Sequence, residues 1–332
     1  MANERIREMK IIFVGVFYYE GPVRHLYTIF EMYKAMAKIF KAVGIDTKYF
    51  TRQSEVLPLH KTLTEEQFYN ALPETDLVFM WNGSLGKEKE ISAYCQQNGI
   101  PVYYMELGWL PQCGTFYFDR KGVNYESTLL DWKYKELTTE QKQDVAAKRT
   151  FYHQCHAKTT GIDEKDFVFV PFQVEGDSQI VNHSPRIKKM QQLVDYVCSF
   201  VEGKIIFKTH PKDDPREIKY PDRCKLYKTG TTHDFLPKCK YVVTINSTVG
   251  VEALTYNKPV ITLGNAFYEG RGLTHKVTTD AAFKQGIELA LRNTPALGVI
   301  EAFLYHLFQE QWYRAYLDDP KRVLSLVERI TG

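Results

Sequence analysis

The sequence predicts an α/β protein of two domains, each a largely parallel sheet flanked by helices. Three observations predict it. The 332 residues are too many for one comfortable core and suit two. Short apolar runs alternate with helix-like stretches in both halves, the pattern of strands joined by helical crossovers. Polar clusters fall at the ends of those runs, where sheets of this kind bind ligands.

In the first half, Lys10–Phe17 (KIIFVGVF) reads as a buried strand. A loop through Gly21 and Pro22 then leads into a helix over Arg24–Val43. Thr47–Phe50 and Asp76–Trp81 are the next strands. The loop Asn82–Gly86 opens a helix to about Asn98, which Gly99 closes in the manner of a C-cap. Pro101–Met105 is a strand with Glu106 at its end, and a polar helix spans Thr138–Thr150. The second half repeats the alternation. Strands are expected at Asp166–Pro171, Lys204–Lys208, Cys224–Tyr227, Tyr241–Ile245 and Pro259–Leu263. Helices are expected at Pro185–Val201, His233–Cys239 and from Val249 to about Tyr256. These signals divide the chain at 1–162, 163–300 and a helical tail over 301–332 that packs across both domains.

Composition narrows the function. Forty-three Lys and Arg against 40 Asp and Glu give a net charge of +3, no footprint for nucleic acid. The six cysteines form no C-x-x-C pair, and Met1–Lys10 lacks the apolar core of a secretory signal. Nothing approaches about 18 uninterrupted apolar residues. The expectation is a cytoplasmic protein with free thiols, peripheral attachment to the inner face of the membrane remaining open.

Four clusters carry chemistry. Ile245-Asn246-Ser247-Thr248-Val249-Gly250-Val251-Glu252 ends a strand and begins a helix, where free N–H groups and the helix dipole favour an anion. Asn, Ser and Thr are also ordinary capping residues, and a cap can point at a phosphate as well. Glu252 is out of register for a capping box and suits ribose hydroxyls. Lys208-Thr209-His210-Pro211-Lys212 places three basic groups at a strand end, which suits phosphate or carboxylate but also describes a solvated turn. Gln173-Val174-Glu175-Gly176-Asp177-Ser178 and Glu106-Leu107-Gly108-Trp109 each set a carboxylate near a glycine beyond a strand. By contrast, His153-Gln154-Cys155-His156 lacks a suitably spaced second ligand pair and reads as structural rather than as a zinc site.

Together these segments resemble the capsule polysaccharide biosynthesis family, the retaining β-Kdo glycosyltransferases. The resemblance runs from about Leu77 to Thr274. Its most specific parts are Asn246–Leu254, Lys258-Pro259-Val260 and Phe267-Tyr268-Glu269-Gly270-Arg271-Gly272-Leu273-Thr274, with Thr209-His210-Pro211 upstream. Val170–Val174 with Asp177, and Met105–Leu110, resemble the family's two acidic segments. Leu107 stands where the family often has Asp, and Arg271 where it usually has Trp.

The resemblance implies a GT-B fold, two Rossmann-like lobes with a cleft between them and the donor CMP-Kdo mostly on the second. It makes Asp177 the nucleophile that forms a covalent Kdo adduct and Glu106 the general base for the acceptor hydroxyl. Lys208 and His210 would neutralise the donor's phosphate or carboxylate. Asn246, Ser247 and Thr248 would line the helix start, and Glu252 would hold the ribose. No metal or other cofactor is implied, because fixed cationic groups can serve the leaving phosphate. The partners are the nucleotide sugar and a glycan or glycolipid acceptor. Competing expectations are a transferase using CMP-sialic acid or a CDP-polyol, a sugar-nucleotide 2-epimerase, and a catalytically silent glycan-binding module.

Overall fold

The computed structural model describes residues 8–15, 24–51, 62–156, 162–212, 217–292 and 295–331. The chain forms two compact units, Met1–Thr128 with Glu310–Gly332, and Leu129–Gln309.

The first unit contains β1 (Lys10–Val14), α1 (Arg24–Ala42), β2 (Asp46–Phe50), α2 (Glu65–Ala71), β3 (Leu77–Trp81), α3 (Gly86–Gln97), β4 (Val102–Leu107) and β5 (Thr115–Asp119). The second contains α4 (Thr139–His156), β6 (Val168–Pro171), α5 (Ser178–His183), α6 (Met190–Phe200), β7 (Ile205–Lys208), β8 (Cys224–Tyr227) and α7 (Thr232–Phe235). It continues with β9 (Tyr241–Thr244), α8 (Val249–Thr255), β10 (Val260–Thr262), β11 (His275–Lys276), α9 (Asp280–Arg292) and α10 (Leu297–Glu310). The chain ends in β12 (Trp312–Tyr313) and α11 (Pro320–Thr331).

In the first unit the strand order is β12-β5-β4-β3-β1-β2. The β2-β1-β3-β4 portion is parallel, and β5 pairs antiparallel with both β4 and β12. Helix α1 buries Phe30, Tyr33, Met36, Ala37 and Phe40, a stripe at helical spacing, against the sheet. Phe13 of β1 lies 4.7 Å from the Tyr33 ring and 5.4 Å from that of Phe79. The second unit's order is β11-β10-β9-β6-β7-β8, parallel throughout. Numbered along the chain, that is the 3-2-1-4-5-6 order of a Rossmann sheet, whose ligand crevice lies where the winding reverses, between β6 and β9. Strands such as IIFK and YVVT are buried throughout, as a sheet covered on both faces requires.

The strands expected from sequence are present with shifted ends, and several differences matter. Val16 and Phe17, the last two residues of the first expected strand, and the Gly21-Pro22 loop lie outside the described residues. The helix expected over Pro185–Val201 starts only at Met190, and a separate short helix, α5, precedes it. Strand β4 runs through Glu106 to Leu107, so the carboxylate sits inside the strand end, not after it. The units also divide at 128/129 and 309/310, where the sequence suggested 162/163 and 300/301. The cause is topological: β12 pairs with β5, which returns the last segment of the chain to the first unit. The tail therefore splits, with α10 falling largely in the second unit and α11 in the first.

That return places Gln311, only 2% exposed, against the loop after β4. Its Oε1 accepts from Trp109 N at 2.7 Å and Leu110 N at 2.9 Å, and its Nε2 donates to the Leu110 carbonyl at 2.8 Å. Gln311→Ala should leave these buried backbone groups unpaired, costing about 1–3 kcal/mol for each one left so. Urea denaturation would read this as a lower midpoint; an unchanged midpoint would show that the loop does not depend on the clasp.

Candidate active site

In the second unit the loops after β6 and β9 meet at the reversal point. Gln173 and Asn246 are both buried there. Gln173 Nε2 donates to Asn246 Oδ1 at 2.9 Å, and Asn246 N donates to Gln173 Oε1 at 3.2 Å. Asn246 Nδ2 donates onward to the carbonyls of Gln179 (2.8 Å) and Asn265 (3.2 Å). Asn246, expected among the donor-binding side chains, is therefore occupied by the fold. Its amide stitches the start of α8 to the start of α5.

Asp177 is the N-cap of α5, and its Oδ1 accepts from Gln179 N at 2.8 Å. The residue is exposed, yet its carboxyl lies close enough to protein that burial raises its pKa, opposed by the Gln179 N–H and the charge of Lys212. Glu175 is not part of this group: its Oε1 accepts from Met190 N at 2.8 Å and caps α6. At the other loop, Thr248 is the N-cap of α8, and Ser247 Oγ accepts from Val249 N at 3.2 Å. Gly250 in the first turn is obligatory, because a Cβ there would lie 2.3 Å from the Tyr268 hydroxyl, which itself donates to the Ser247 carbonyl. Tyr268, fully buried, thus supports the helix start from behind.

Lys208 closes β7, buried, with Nζ donating to the Thr209 carbonyl at 2.8 Å; burial lowers its pKa and Asp234 partly restores it. His210 behaves differently from the expected cation. Burial first, then the charges of Lys212 and Lys208, push its pKa down to about 4. Its Nδ1 accepts from Lys212 N at 3.1 Å, which assigns the proton to Nε2. His210 is a neutral donor at pH 7, able to contribute a hydrogen bond rather than a charge.

Glu252 Oε2 accepts from the Thr232 hydroxyl at 2.5 Å, and burial lifts the carboxyl to about 7. Around it lies an aromatic and imidazole cluster. His153 stacks on Tyr256 at 4.0 Å, His156 on His233 at 4.3 Å, and His233 Nδ1 is 2.9 Å from the Tyr256 hydroxyl. His153 and His156 are thus engaged in packing and hydrogen bonds.

In the first unit, Glu106 Oε1 accepts from Leu107 N at 2.9 Å and Oε2 from Asn82 Nδ2 at 2.7 Å. Asn82 follows β3 with φ 58, the left-handed region that Asn tolerates, and its Oδ1 accepts from Ser84 N. The acidic loop continues into buried Trp109, stacked 4.2 Å from Tyr117. Sequence reasoning missed Asn82, Gln311 and Thr232, and named Tyr268 in a family segment without its supporting role. An Asn-Gly pair directly after a strand was a usable signal for the first; the others are brought in by tertiary packing alone.

The capsule polysaccharide biosynthesis protein family matches residues 132–314, more than half of the chain. The chain belongs to the capsule polysaccharide biosynthesis protein family. Among curated relatives, it is 32% identical to Protein FixF of Sinorhizobium fredii over 203 residues, which is 58% of this chain and 49% of FixF. The chain thus spans about half the length of that relative. Its fold resembles two solved structures from Thermosulfurimonas dismutans. KpsC, β Kdo 2,4 transferase, aligns at TM-score 0.61 with 16% identity over 96% of this chain and 98% of that one. KpsC, β Kdo 2,7 transferase, aligns at 0.57 with 18% identity over 97% and 99%. This capsule-family chain accordingly has the GT-B type of fold, with two Rossmann-like α/β units. Among the described residues no helix is long and apolar enough to cross a membrane.

Two titrations test the electrostatics. Long-range 1H–15N NMR at pH 7 should show His210 as the neutral Nε2–H tautomer, titrating near pH 4; a charged ring at pH 7 would refute its burial. Glu252 has a folded pKa raised from 4.5 to about 7. Its contribution to stability is therefore full below pH 4.5 and lost as pH rises through 7. The stability of the wild type relative to Glu252→Gln should fall over that window, and a flat difference would contradict the raised pKa.

Proposed function

We propose that this chain is a retaining β-Kdo glycosyltransferase that moves Kdo from CMP-Kdo to a glycan or glycolipid acceptor in capsular or other surface polysaccharide synthesis. The reading is supported by membership of the capsule family and by the resemblance in fold to the two KpsC Kdo transferases. The observation that carries it is the joining of two loops at the reversal point of the second sheet. Asn246 ties the helix start beside Ser247 to the helix start beside Asp177, so that a carboxylate and the hydroxyl-bearing Ser247-Thr248 turn belong to one rigid construction.

In this mechanism the donor phosphate is received by the Ser247 and Thr248 hydroxyls at the start of α8 and by the Nε2–H of His210. Lys208 supplies positive charge, and Glu252 takes the ribose hydroxyls. An arriving phosphate raises the depressed pKa values of Lys208 and His210, which strengthens both contacts. The Gln179 N–H holds Oδ1 of Asp177 and leaves Oδ2 to attack the anomeric carbon of Kdo. The bond from that carbon to the phosphate breaks, CMP leaves with the electron pair, and an ester to Asp177 forms. In the second step the acceptor hydroxyl attacks the same carbon, its proton passes to Glu106, and the Asp177 ester is released. Two inversions give net retention. Asn82 positions the Glu106 carboxylate, and the charge of Lys208 with the fixed hydrogen-bond donors makes a metal ion unnecessary for departure of CMP.

The test is incubation with CMP-Kdo without acceptor, followed by mass spectrometry of the intact protein. Wild-type protein should gain one Kdo unit, Asp177→Ala should gain none, and Glu106→Gln should keep the adduct when acceptor is added. Near-normal turnover by Asp177→Ala would remove it from the nucleophile's role. Transfer from CMP-sialic acid or CDP-glycerol but not from CMP-Kdo would reassign the donor, and conversion of a sugar nucleotide with no acceptor would indicate an epimerase. Activity that persists in EDTA is expected, and its loss would refute metal independence.

A further inference from the structure

Gly270, Arg271 and Gly272 form a run of three left-handed residues, with φ of 62°, 54° and 78°. Glycine enters this region freely, whereas an arginine is strained there and persists only where its surroundings hold it. The surroundings do so. Arg271 Nη1 donates to the carbonyls of Leu129 (3.0 Å), Leu130 (3.3 Å) and Trp132 (3.4 Å), Nη2 to that of Phe267, and Nε to that of Glu269 (3.4 Å). The guanidinium also lies 5.6 Å from the Trp132 ring and 5.9 Å from that of Phe303, and Trp132 meets Phe303 edge-on at 5.1 Å. The side chain of this one backbone-strained residue thus fixes the path of the segment 129–132.

That segment forms most of the wall of an open groove of about 720 Å³, lined by Leu130, Asp131, Trp132, Lys133, Tyr134 and Arg271. The volume is within the roughly 300–1,000 Å³ of small-ligand pockets. Tyr134 is 54% exposed, an unusual display for so large a ring, and Lys133 is exposed beside it. Aromatic rings mixed with charged groups suit a sugar, whose C–H face stacks on a ring while its hydroxyls and acid group need polar partners. Lys133 and Arg271 outweigh Asp131 in charge, which favours an anionic ligand. Because the N–H groups of Arg271 face carbonyls, it supplies field and position, and Lys133 is the group that makes the direct contact.

We propose that this groove is a subsite for a carboxylate-bearing pyranose of the glycan substrate. Tyr134 and Trp132 are its stacking faces, Lys133 its carboxylate partner and Arg271 its positioning residue. The proposal rests on the transferase reading for the nature of the ligand, but its residues are none of those assigned to the donor.

Saturation-transfer NMR with the methyl glycoside of Kdo, with and without saturating CMP, tests it, using methyl β-glucoside as a neutral control. Kdo glycoside signals should persist with CMP present and exceed those of the glucoside. Lys133→Ala and Tyr134→Ala alter exposed side chains and should each weaken binding about tenfold, the scale of a lost charge-assisted contact. Arg271→Gly, which relieves the left-handed strain, should stay folded by circular dichroism and lose the signal; a retained signal would remove Arg271 from its positioning role. Displacement by CMP, equal signals from the two glycosides, no signal, or insensitivity to both alanine variants would overturn the subsite. Failure of CMP to bind in the same samples would count against the donor assignment, leaving the groove to be decided by the sugar signals.

Discussion

The paired amides of Gln173 and Asn246 are the constraint on which the arrangement of the second unit's β6 and β9 loops depends. Two loops leave neighbouring parallel strands at the point where the winding reverses, and nothing in the sheet ladder itself holds them to each other. The amides do. Each donates or accepts within the pair, and the remaining Asn246 donors reach the carbonyls of Gln179 and Asn265. Buried and fully paired polar groups of this kind specify one arrangement, since any slippage leaves desolvated amides without partners. Gly250 and Tyr268 complete the construction by allowing one helix start to sit flush on a buried ring.

The electrostatics of that end follow from burial. Lys208 and His210 are shifted down and Asp177 and Glu252 up, and in each case desolvation is the largest cause. Every one of these groups is pushed toward its neutral form, the condition of a site whose water has already been partly removed. Opposite charge brought by a ligand recovers what desolvation took. Such a place favours a charged, hydrogen-bonding molecule over solvent. In the first unit the Glu106 carboxylate is instead tied down by Asn82 and its own chain, a fixed acceptor at the end of β4.

Much of this was legible in the order of residues. Buried runs such as IIFK and YVVT announce covered parallel strands, and the clusters at Asp177, Lys208 and Asn246 fall at or beyond the ends of β6, β7 and β9, as their order in the sequence suggested. Composition could not show which members of a cluster face a ligand. Asn246 looks like a binding residue because Asn, Ser and Thr all suit a helix start, but its amide is taken by Gln173, 73 positions away. His210 looks like a cation until its burial is known. The division of the chain was also hidden, since β12 is two residues long and its pairing with β5 depends on a contact spanning some two hundred positions. Glu106 was read just past its strand and lies inside the end of β4, while Gln311, which secures the loop beyond it, has no local signature.

The most direct measurement of the central claim is a crystal structure with CMP bound. The account predicts phosphate oxygens at the hydroxyls of Ser247 and Thr248, the Nε2–H of His210 within hydrogen-bond reach, and an unmoved Gln173–Asn246 pair. A nucleotide seated away from the β6 and β9 loops, or one that separates the two amides, would contradict it.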